Sequence, residues 1–522
     1  MIGVGGDLGR MVNFEDAGPE VRLFPRAGDG EKAPAIPMEL AELAQVLPGV
    51  VVRGDPSTAV VDATVDSRAA GPGSLFCCVV GERTDGHAFA TDAAANGAAA
   101  LLVERRLDVD LPQLRVESVR SAAGPAAAAI FGRPSERMTV VGVTGTNGKT
   151  TTTYMLERAF AAAGATPGLI GTVEVHIGDD VLPVVHTTPE APELQRLFAR
   201  MHEAGVGAVG MEVSSHGLAL DRVSGTRFAC GVFTNLTRDH LDFHGSVEAY
   251  EAAKAKLFAG ELALRGAINV DDPAGVRIAA GAAVPVVTFA IDSDADVRAI
   301  DVVTSAEGSR FTCIAGDEHI AVRVPITGRY NVSNALATLA SFHALGLPLE
   351  AAADGIAALA GVPGRLEAVD VGQPFTVVVD YAHTPDSLEN VLHATRDVCE
   401  GRLIVVFGCG GDRDRGKRPL MGKVATTLAD LTFVTSDNPR SEDPAAIIVE
   451  IEAGAIEGGG AYRTEQDRRA AIRAAVGEAR PGDLVVIAGK GHESGQKFAD
   501  RVVPFDDRVV AREELAALPG RR

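Results

Sequence analysis

Gly142, Gly145 and Gly148, with Lys149 and Thr150 directly after them, stand in the stretch TVVGVTGTNGKTTTTYML, Thr139 to Leu156. Glycines let a backbone approach an anion closely, and a lysine beside a hydroxyl suits a nucleotide's phosphates and their cation. The spacing is G-x-x-G-x-x-G-K-T, one place away from the common G-x-x-x-x-G-K-[ST] loop, which wants glycine where Val143 stands. The flanks speak for a phosphate loop nonetheless. MTVVGV is an apolar β-branched run, which predicts a buried strand, and Met155, Leu156, Ala159, Phe160 and Ala163 fall on one helical face. A loop between a strand and a helix can wrap a phosphate with its N–H groups at the helix N-terminus. The expected nucleotide set is Gly145, Thr146, Asn147, Gly148, Lys149, Thr150 and Thr151. Lys149 would reach the β- and γ-phosphates and Thr150 would ligate Mg²⁺.

Two more apolar runs end in polar residues. GVGAVGMEVSSHG leads to Glu212, Ser214, Ser215 and His216; FACGVFTNLTRDHLDFHG leads to Asn235, Asp239, His240, Asp242 and His244. Ligands of parallel α/β sheets bind beyond the carboxyl ends of strands, so a glutamate and a histidine from neighbouring strand ends can share a metal facing the loop. In the next helical stretch Ser246 is the expected N-cap, and Val247, Tyr250, Leu257 and Phe258 form an apolar stripe. Lys254 sits at the centre of that stripe, with Lys256 on the opposite side. A lysine there either snorkels, pairs with Glu251, or carries CO₂ as a carbamate, becoming an anion able to hold or orient a metal.

Chain-wide properties set the limits. At 522 residues the chain predicts about three domains, with 46% hydrophobic residues to fill their cores. Aromatic residues are only 5% and tryptophan is absent, which favours aliphatic α/β packing over a base-stacking surface. The net charge of −21, from 49 basic and 70 acidic residues, argues against nucleic acid or an anionic membrane as partner. Cys77, Cys78, Cys230, Cys313, Cys399 and Cys409 form no C-x-x-C pair and mostly lie in apolar runs, consistent with a reducing cytoplasm. There is neither a signal-peptide pattern nor a run near the ~20 apolar residues of a membrane span. Residues 1–37 read as a disordered extension. Blocks 38–133 and 134–362 follow, each with α/β patterning. From 363 to 522 the strands FTVVVD, RLIVVFG, DLTFVTS and DLVVIAG alternate with helical stretches, the mark of a mostly parallel sheet.

GVTGTNGKTTT, EVSSHGL, TNLTRDHLDFHG and YEAAKAKLF together resemble the Mur ligases, the ATP-dependent amino-acid ligases of peptidoglycan synthesis. The displaced glycine spacing is that family's form of the loop, and the resemblance runs from about Val65 to the C-terminus. It implies an α/β fold of three domains: an N-terminal UDP-substrate domain, a central P-loop-type ATPase domain and a C-terminal Rossmann-like domain. It also implies that Glu212 and His240 are Mg²⁺ ligands, that Lys254 is carbamylated, and that Asn331, Asn334, Arg365 and Asp380 contact adenine and ribose. Val65 and Ser67 in VDSR, and Glu82, Arg83 and Thr84 in GERTDG, match the uridine-diphosphate contacts. At the last three positions, and at Leu220, the chain departs from other members. His186, Thr187 and Thr188 of HTTPE, with Ser214 and Arg222, match contacts to the muramoyl-dipeptide end.

In the last block, Arg413 follows VVFG, Asp437-Asn438-Pro439-Arg440 follows DLTFVTS, and Gly489 to Glu493 follow DLVVIA. Arginines beside carboxylates at successive strand ends suit a zwitterion. The D-N-P-R run resembles the signature of members that add meso-diaminopimelate to UDP-N-acetylmuramoyl-L-alanyl-D-glutamate. Arg440 would grip the second carboxylate, which lysine lacks. The expectation is therefore a cytoplasmic, monomeric ligase that forms an acyl phosphate from ATP and closes its domains around three substrates, with His216 a candidate acceptor of the amine proton. A lysine-adding member, a folylpolyglutamate synthase and a nucleotide-dependent scaffold are the rival readings.

Overall fold

The computed structural model describes residues 37–81, 84–184 and 186–518. Three large sheets follow one another along the chain, and two small two-stranded sheets accompany them among the described residues. The first has five strands, from Val51–Arg53 to Gln113–Arg115, and packs against the Ala-rich helix Val119–Ile130. Alanine's small side chain lets that helix lie close, which suits a thin core of Leu75, Leu102 and Leu114.

The second sheet has eleven strands. At its centre the parallel strand Thr139–Thr144 lies between Ala208–Glu212 and Cys230–Phe233, with Glu212 beside Val143 and Phe233 beside Thr144. All three strands are fully apolar in their interior, as parallel strands covered on both faces must be. Their carboxyl ends share one edge, so whatever follows each strand gathers there. The helix Lys149–Ala162 packs back with Met155, Leu156, Ala159 and Phe160 buried, while Ala163 caps it half-buried. One feature was absent from the sequence reading: Val297–Ser305, Gly308–Ala315 and Glu318–Val324 form an antiparallel ribbon at the sheet's end. Its alternating burial leaves one face to water, which only an antiparallel arrangement tolerates.

The third sheet has six strands, with Thr376–Asp380, Leu484–Ala488, Leu403–Phe407 and Leu431–Val434 as its parallel centre. These are the four strands that the apolar runs predicted. Edge strands Glu367–Ala368 and Tyr462–Thr464 are short and partly exposed, and carry no comparable signal. Asp380 pairs with Ala488 and Phe407 with Val434, so the polar segments after these strands also meet at one edge. No helix among the described residues is long and apolar enough to cross a membrane. Residues 1–36, within the expected N-terminal extension, lie outside the described residues, as do Glu82 and Arg83.

Candidate active site

The phosphate loop owes its shape to two glycines. Gly145 (φ 151°) and Gly148 (φ 87°) hold dihedrals that other residues avoid. A Cβ on Gly145 would lie 1.8 Å from Thr234 Oγ1, and one on Gly148 would lie 2.3 Å from Asn334 Oδ1. The loop is fixed from the neighbouring strand end: Thr146 N donates to Asn235 O and Asn147 N to Asn235 Oδ1, each at 2.9 Å. Those two N–H groups are therefore committed, which narrows the expected cradle. The N–H groups of Gly148, Lys149 and Thr150 have no partner among the described residues and open the helix, where an anion is favoured. Lys149 Nζ folds back onto Gly145 O at 2.9 Å and Thr146 O at 2.8 Å. Burial lowers its pKa, though the charges of Glu212 and Asp239 oppose that shift.

The loop opens into a cavity of about 400 Å³ lined by both the central and the C-terminal parts of the chain. Gly145 to Thr151, Glu212, His240, Lys254, Asn331 and Asn334 line it from one side; Arg365, Asp380, Tyr381 and Asp386 line it from the other. Asn331 and Asn334 are one helical turn apart and joined at 3.0 Å, with Asn331 Nδ2 also tied to Thr327 O. Arg365 donates to Thr150 Oγ1 at 3.0 Å and lies over the Tyr381 ring. Both oxygens of Asp380 accept backbone N–H groups, from Leu366 and Ala382, so this carboxylate fixes the entry to the C-terminal sheet as well as lining the cavity. Asp386, which the sequence reading passed over, accepts from Asn147 Nδ2 at 2.8 Å and joins the loop to the C-terminal part. Its only signal was its place in VDYAHTPD, just inside the N-terminus of Pro385–Arg396.

Glu212 is buried at the end of its strand. Oε1 accepts from Thr150 Oγ1 at 3.0 Å and from Thr172 N at 2.8 Å, while Oε2 accepts from Thr172 Oγ1 at 2.9 Å. A lone pair remains on Oε2. His240 takes a left-handed φ of 52°, and burial, outweighing the nearby Asp239 carboxylate, holds its imidazole well below the ordinary range. A neutral imidazole, a carboxylate and a hydroxyl are mostly hard donors and fit a small divalent cation beside phosphates. Among the described residues no group of three or more His, Cys, Asp or Glu is poised for a metal, so such a site would draw on other donors as well, Thr150 among them.

Helix Val247–Ala255 is capped by Ser246, whose side chain accepts from Ala249 N. Tyr250, Lys254, Leu257 and Phe258 are buried and Lys256 is exposed, as the periodicity predicts. Val247 departs from that reading and is 41% exposed, because the first turn projects beyond the core. Glu251 pairs with Arg277 rather than with Lys254. The Lys254 amine lines the cavity 4.3 Å over the Tyr250 ring, with no hydrogen-bond or ion-pair partner among the described residues. Burial, reinforced by the positive charge of Lys149, lowers its pKa far below the ordinary value. Neither snorkelling nor a Glu251 pair describes it.

Beside Glu212, Thr188 Oγ1 donates to Glu212 O and accepts from Ser214 N, each at 3.0 Å, while Arg222 bonds Thr188 O and pairs with Glu190. Thr187 meets Thr172 at 3.0 Å, and Thr187 and Ser214 line the cavity. His186 is exposed. Val65, Ser67 and Thr84 lie apart, on the first sheet's edge: Ser67 opens a short helix capped by Asp66, and Thr84 O accepts from Gly81 N. None of these three lines the cavity.

At the C-terminal sheet edge, Asn438 Nδ2 donates to Glu493 Oε2 at 2.7 Å. Arg440 has φ 53° and donates to Gly411 O at 2.6 Å; burial and the charge of Arg413 lower its pKa. Arg413 is exposed and, among the described residues, bonds Asp412 O alone. Pro439 stands between Asn438 and Arg440, and Gly489 holds φ 116°, which L side chains avoid, with its Cβ position 2.8 Å from Asp437 Oδ2. Tyr381 lines the cavity, and its ring lies 5.1 Å from that of His492, which precedes Glu493; burial, with the charge of Glu493, pushes its hydroxyl up.

Residues 143–342 match the Mur ligase middle domain, 364–491 the Mur ligase glutamate ligase domain, and 63–137 the Mur ligase family catalytic domain. The chain is 49% identical over 493 residues to a UDP-N-acetylmuramoyl-L-alanyl-D-glutamate–2,6-diaminopimelate ligase of Streptomyces avermitilis, covering 92% of this chain and 97% of that protein. The ligase of the same name from Geobacillus thermodenitrificans is 46% identical, covering 93% and 100%. A solved structure of a ligase so named superposes with a TM-score of 0.67 at 33% identity, covering 92% of this chain and 99% of the other.

Proposed function

The chain belongs to the Mur ligase family, and on that premise we propose that it joins meso-diaminopimelate to the D-glutamate γ-carboxylate of UDP-N-acetylmuramoyl-L-alanyl-D-glutamate. It is an ATP-dependent ligase with ATP as co-substrate. The observation that carries the choice of amino acid is the cluster of Arg440, Asp437, Asn438 and Glu493 at the sheet edge that also bears Tyr381, which lines the phosphate-loop cavity and lies 5.1 Å from the ring of His492, the neighbour of Glu493. Arginines supply the match for two carboxylates, and Glu493 with Asp437 for ammonium groups. We divide the chain at 38–133 for the UDP-sugar part, 134–362 for the nucleotide part and 363–522 for the amino-acid part.

The free N–H groups of Gly148, Lys149 and Thr150 receive the terminal phosphates, and Lys149 leaves its own loop carbonyls to follow the transferred group. Thr188, Ser214 and Arg222 hold the glutamyl end so that its γ-carboxylate meets the γ-phosphoryl group, giving an acyl phosphate. Two anions must approach, so the donors fixed in the loop offset their repulsion. Thr150, Glu212, His240 and a carbamylated Lys254 would hold Mg²⁺, which when bound supplies charge neutralisation for the phosphates. The amine of diaminopimelate, oriented by Asn438 and Glu493, attacks the acyl carbon and phosphate leaves. Positioning is the main task of the protein.

Phosphate release from ATP with the UDP-dipeptide, offered meso-diaminopimelate or L-lysine, tests the assignment. Turnover with diaminopimelate alone is expected; turnover with lysine would return the lysine-adding reading. Silence with both, under added CO₂, would sink the ligase assignment.

A further inference from the structure

Lys490 is fully buried, yet the steps above give it no task. It follows the strand Leu484–Ala488, between Gly489 (φ 116°) and Gly491 (φ 53°). A Cβ on Gly491 would lie 2.8 Å from Gly364 O, so neither neighbour tolerates a side chain. This Gly-Lys-Gly turn sends the lysine stem inward, where lysines are rarely found without a partner. The ammonium donates to Asn438 Oδ1 at 3.1 Å and to Glu493 Oε2 at 3.0 Å. Asn438 Oδ1 accepts a second bond from Lys497 N at 2.9 Å, and its Nδ2 donates to Glu493 Oε2. The amide therefore has one orientation that satisfies its donors and acceptors. Glu493 Oε2 is held by two donors, whereas Oε1 has no partner among the described residues and the side chain is 29% exposed.

We propose that Lys490 is a positioning residue for the amino-acid substrate: it clamps Asn438 and one oxygen of Glu493, so that the other oxygen is presented to the incoming ammonium group. The inference rests on the reading that this cluster receives the amino acid. A charge-assisted clamp of this kind restricts the carboxylate to one rotamer, and loss of the cation frees it to turn towards Arg440.

Lys490→Met and Glu493→Gln, singly and together, test it by initial rates with meso-diaminopimelate varied at saturating ATP and UDP-dipeptide. Lys490→Met should raise KM for diaminopimelate by about tenfold or more while KM for ATP moves less than about twofold. If the lysine acts through Glu493, the double variant should be within about threefold of Glu493→Gln alone. Additive losses, or an equal rise in KM for ATP, would overturn the proposal in favour of a purely structural lysine. Should Lys490→Met not fold, Asn438→Asp reads the same contact: Lys490 still donates to the new carboxylate but Glu493 is repelled, so KM for diaminopimelate rises, and an unchanged KM overturns the clamp. No product from the unaltered chain would overturn the assigned function and this inference with it. Product from the unaltered chain, with KM unchanged in the variants, would overturn the inference alone.

Discussion

A buried primary amine without a partner gives up its proton more readily than a solvated one, and Lys254 stands in that position. Its surroundings disfavour the cation twice, by burial and by the nearby Lys149. Reaction with CO₂ would replace an unpaired amine by an anion beside Lys149, which reverses the sign of that interaction. With ¹³C-labelled bicarbonate, a carbamate resonance is expected from the unaltered chain and should vanish in Lys254→Met, whose turnover should fall by about 100-fold or more. Full turnover without the resonance would refute the carbamate. The lysine's burial was legible because its neighbours repeat at helical spacing. The cavity roles of Asp386 and Tyr381, and the burial of Lys490, were not: each depends on a partner on another element, from Asn438, 52 residues before Lys490, to Asn147, 239 residues before Asp386.

Among the elements, the hairpin strand Val175–Ile177 is pinned to the phosphate-loop helix by ionisable groups. His176 meets Glu157 of that helix at 2.5 Å and Glu174 at 2.9 Å, and Tyr154 donates to Glu174 at 2.5 Å. The same turn carries Thr172, whose two bonds hold Glu212. Burial pulls the imidazole down, but the hydrogen bonds and charges of Glu157 and Glu174 outweigh it and leave its pKa raised. A raised pKa means that the folded chain binds the proton more tightly than the unfolded one. The stabilisation is then complete below the unfolded value of ~6.5 and is lost as pH rises through the folded value. The difference in melting temperature between the unaltered chain and His176→Gln should therefore be largest in mild acid and shrink in alkali. A difference that grows with pH would contradict the assignment.

For the whole molecule, the three sheets are joined in different ways. The N-terminal part abuts the central one closely: a Cβ on Gly124 would lie 2.1 Å from Ser224 O, and Arg120, Ser121 and Arg196 add bonds to Leu220, Asp221 and Asp62 across the seam. The C-terminal part is tied by the polar contacts of Asn147 to Asp386, Arg365 to Thr150 and Arg238 to Asp414, beside Tyr330, which packs against the C-terminal core. Contacts of the second kind break and re-form at small cost, which suits a closing motion. Among the described residues, the nucleotide cavity takes no lining from the N-terminal sheet. Gly124→Val should therefore raise KM for the UDP-dipeptide by about tenfold while nucleotide affinity, measured by calorimetry, stays the same. Equal losses for both would show that the seam also supports the loop.

By itself the sequence determined what is local or periodic: the strand–loop–helix around Lys149, the parallel strands of the last block, the Ser246 cap, and the lysine on a buried stripe. These follow from side-chain period and backbone preference within a dozen residues. Only the tertiary structure decided that Asn235 occupies two loop N–H groups, that Asp380 is spent on backbone amides, and that Glu251 leaves Lys254 for Arg277. The reason is geometric. A parallel sheet collects the ends of strands distant in sequence at one edge, and which partner each polar group meets there is set by strand order, which no local pattern encodes.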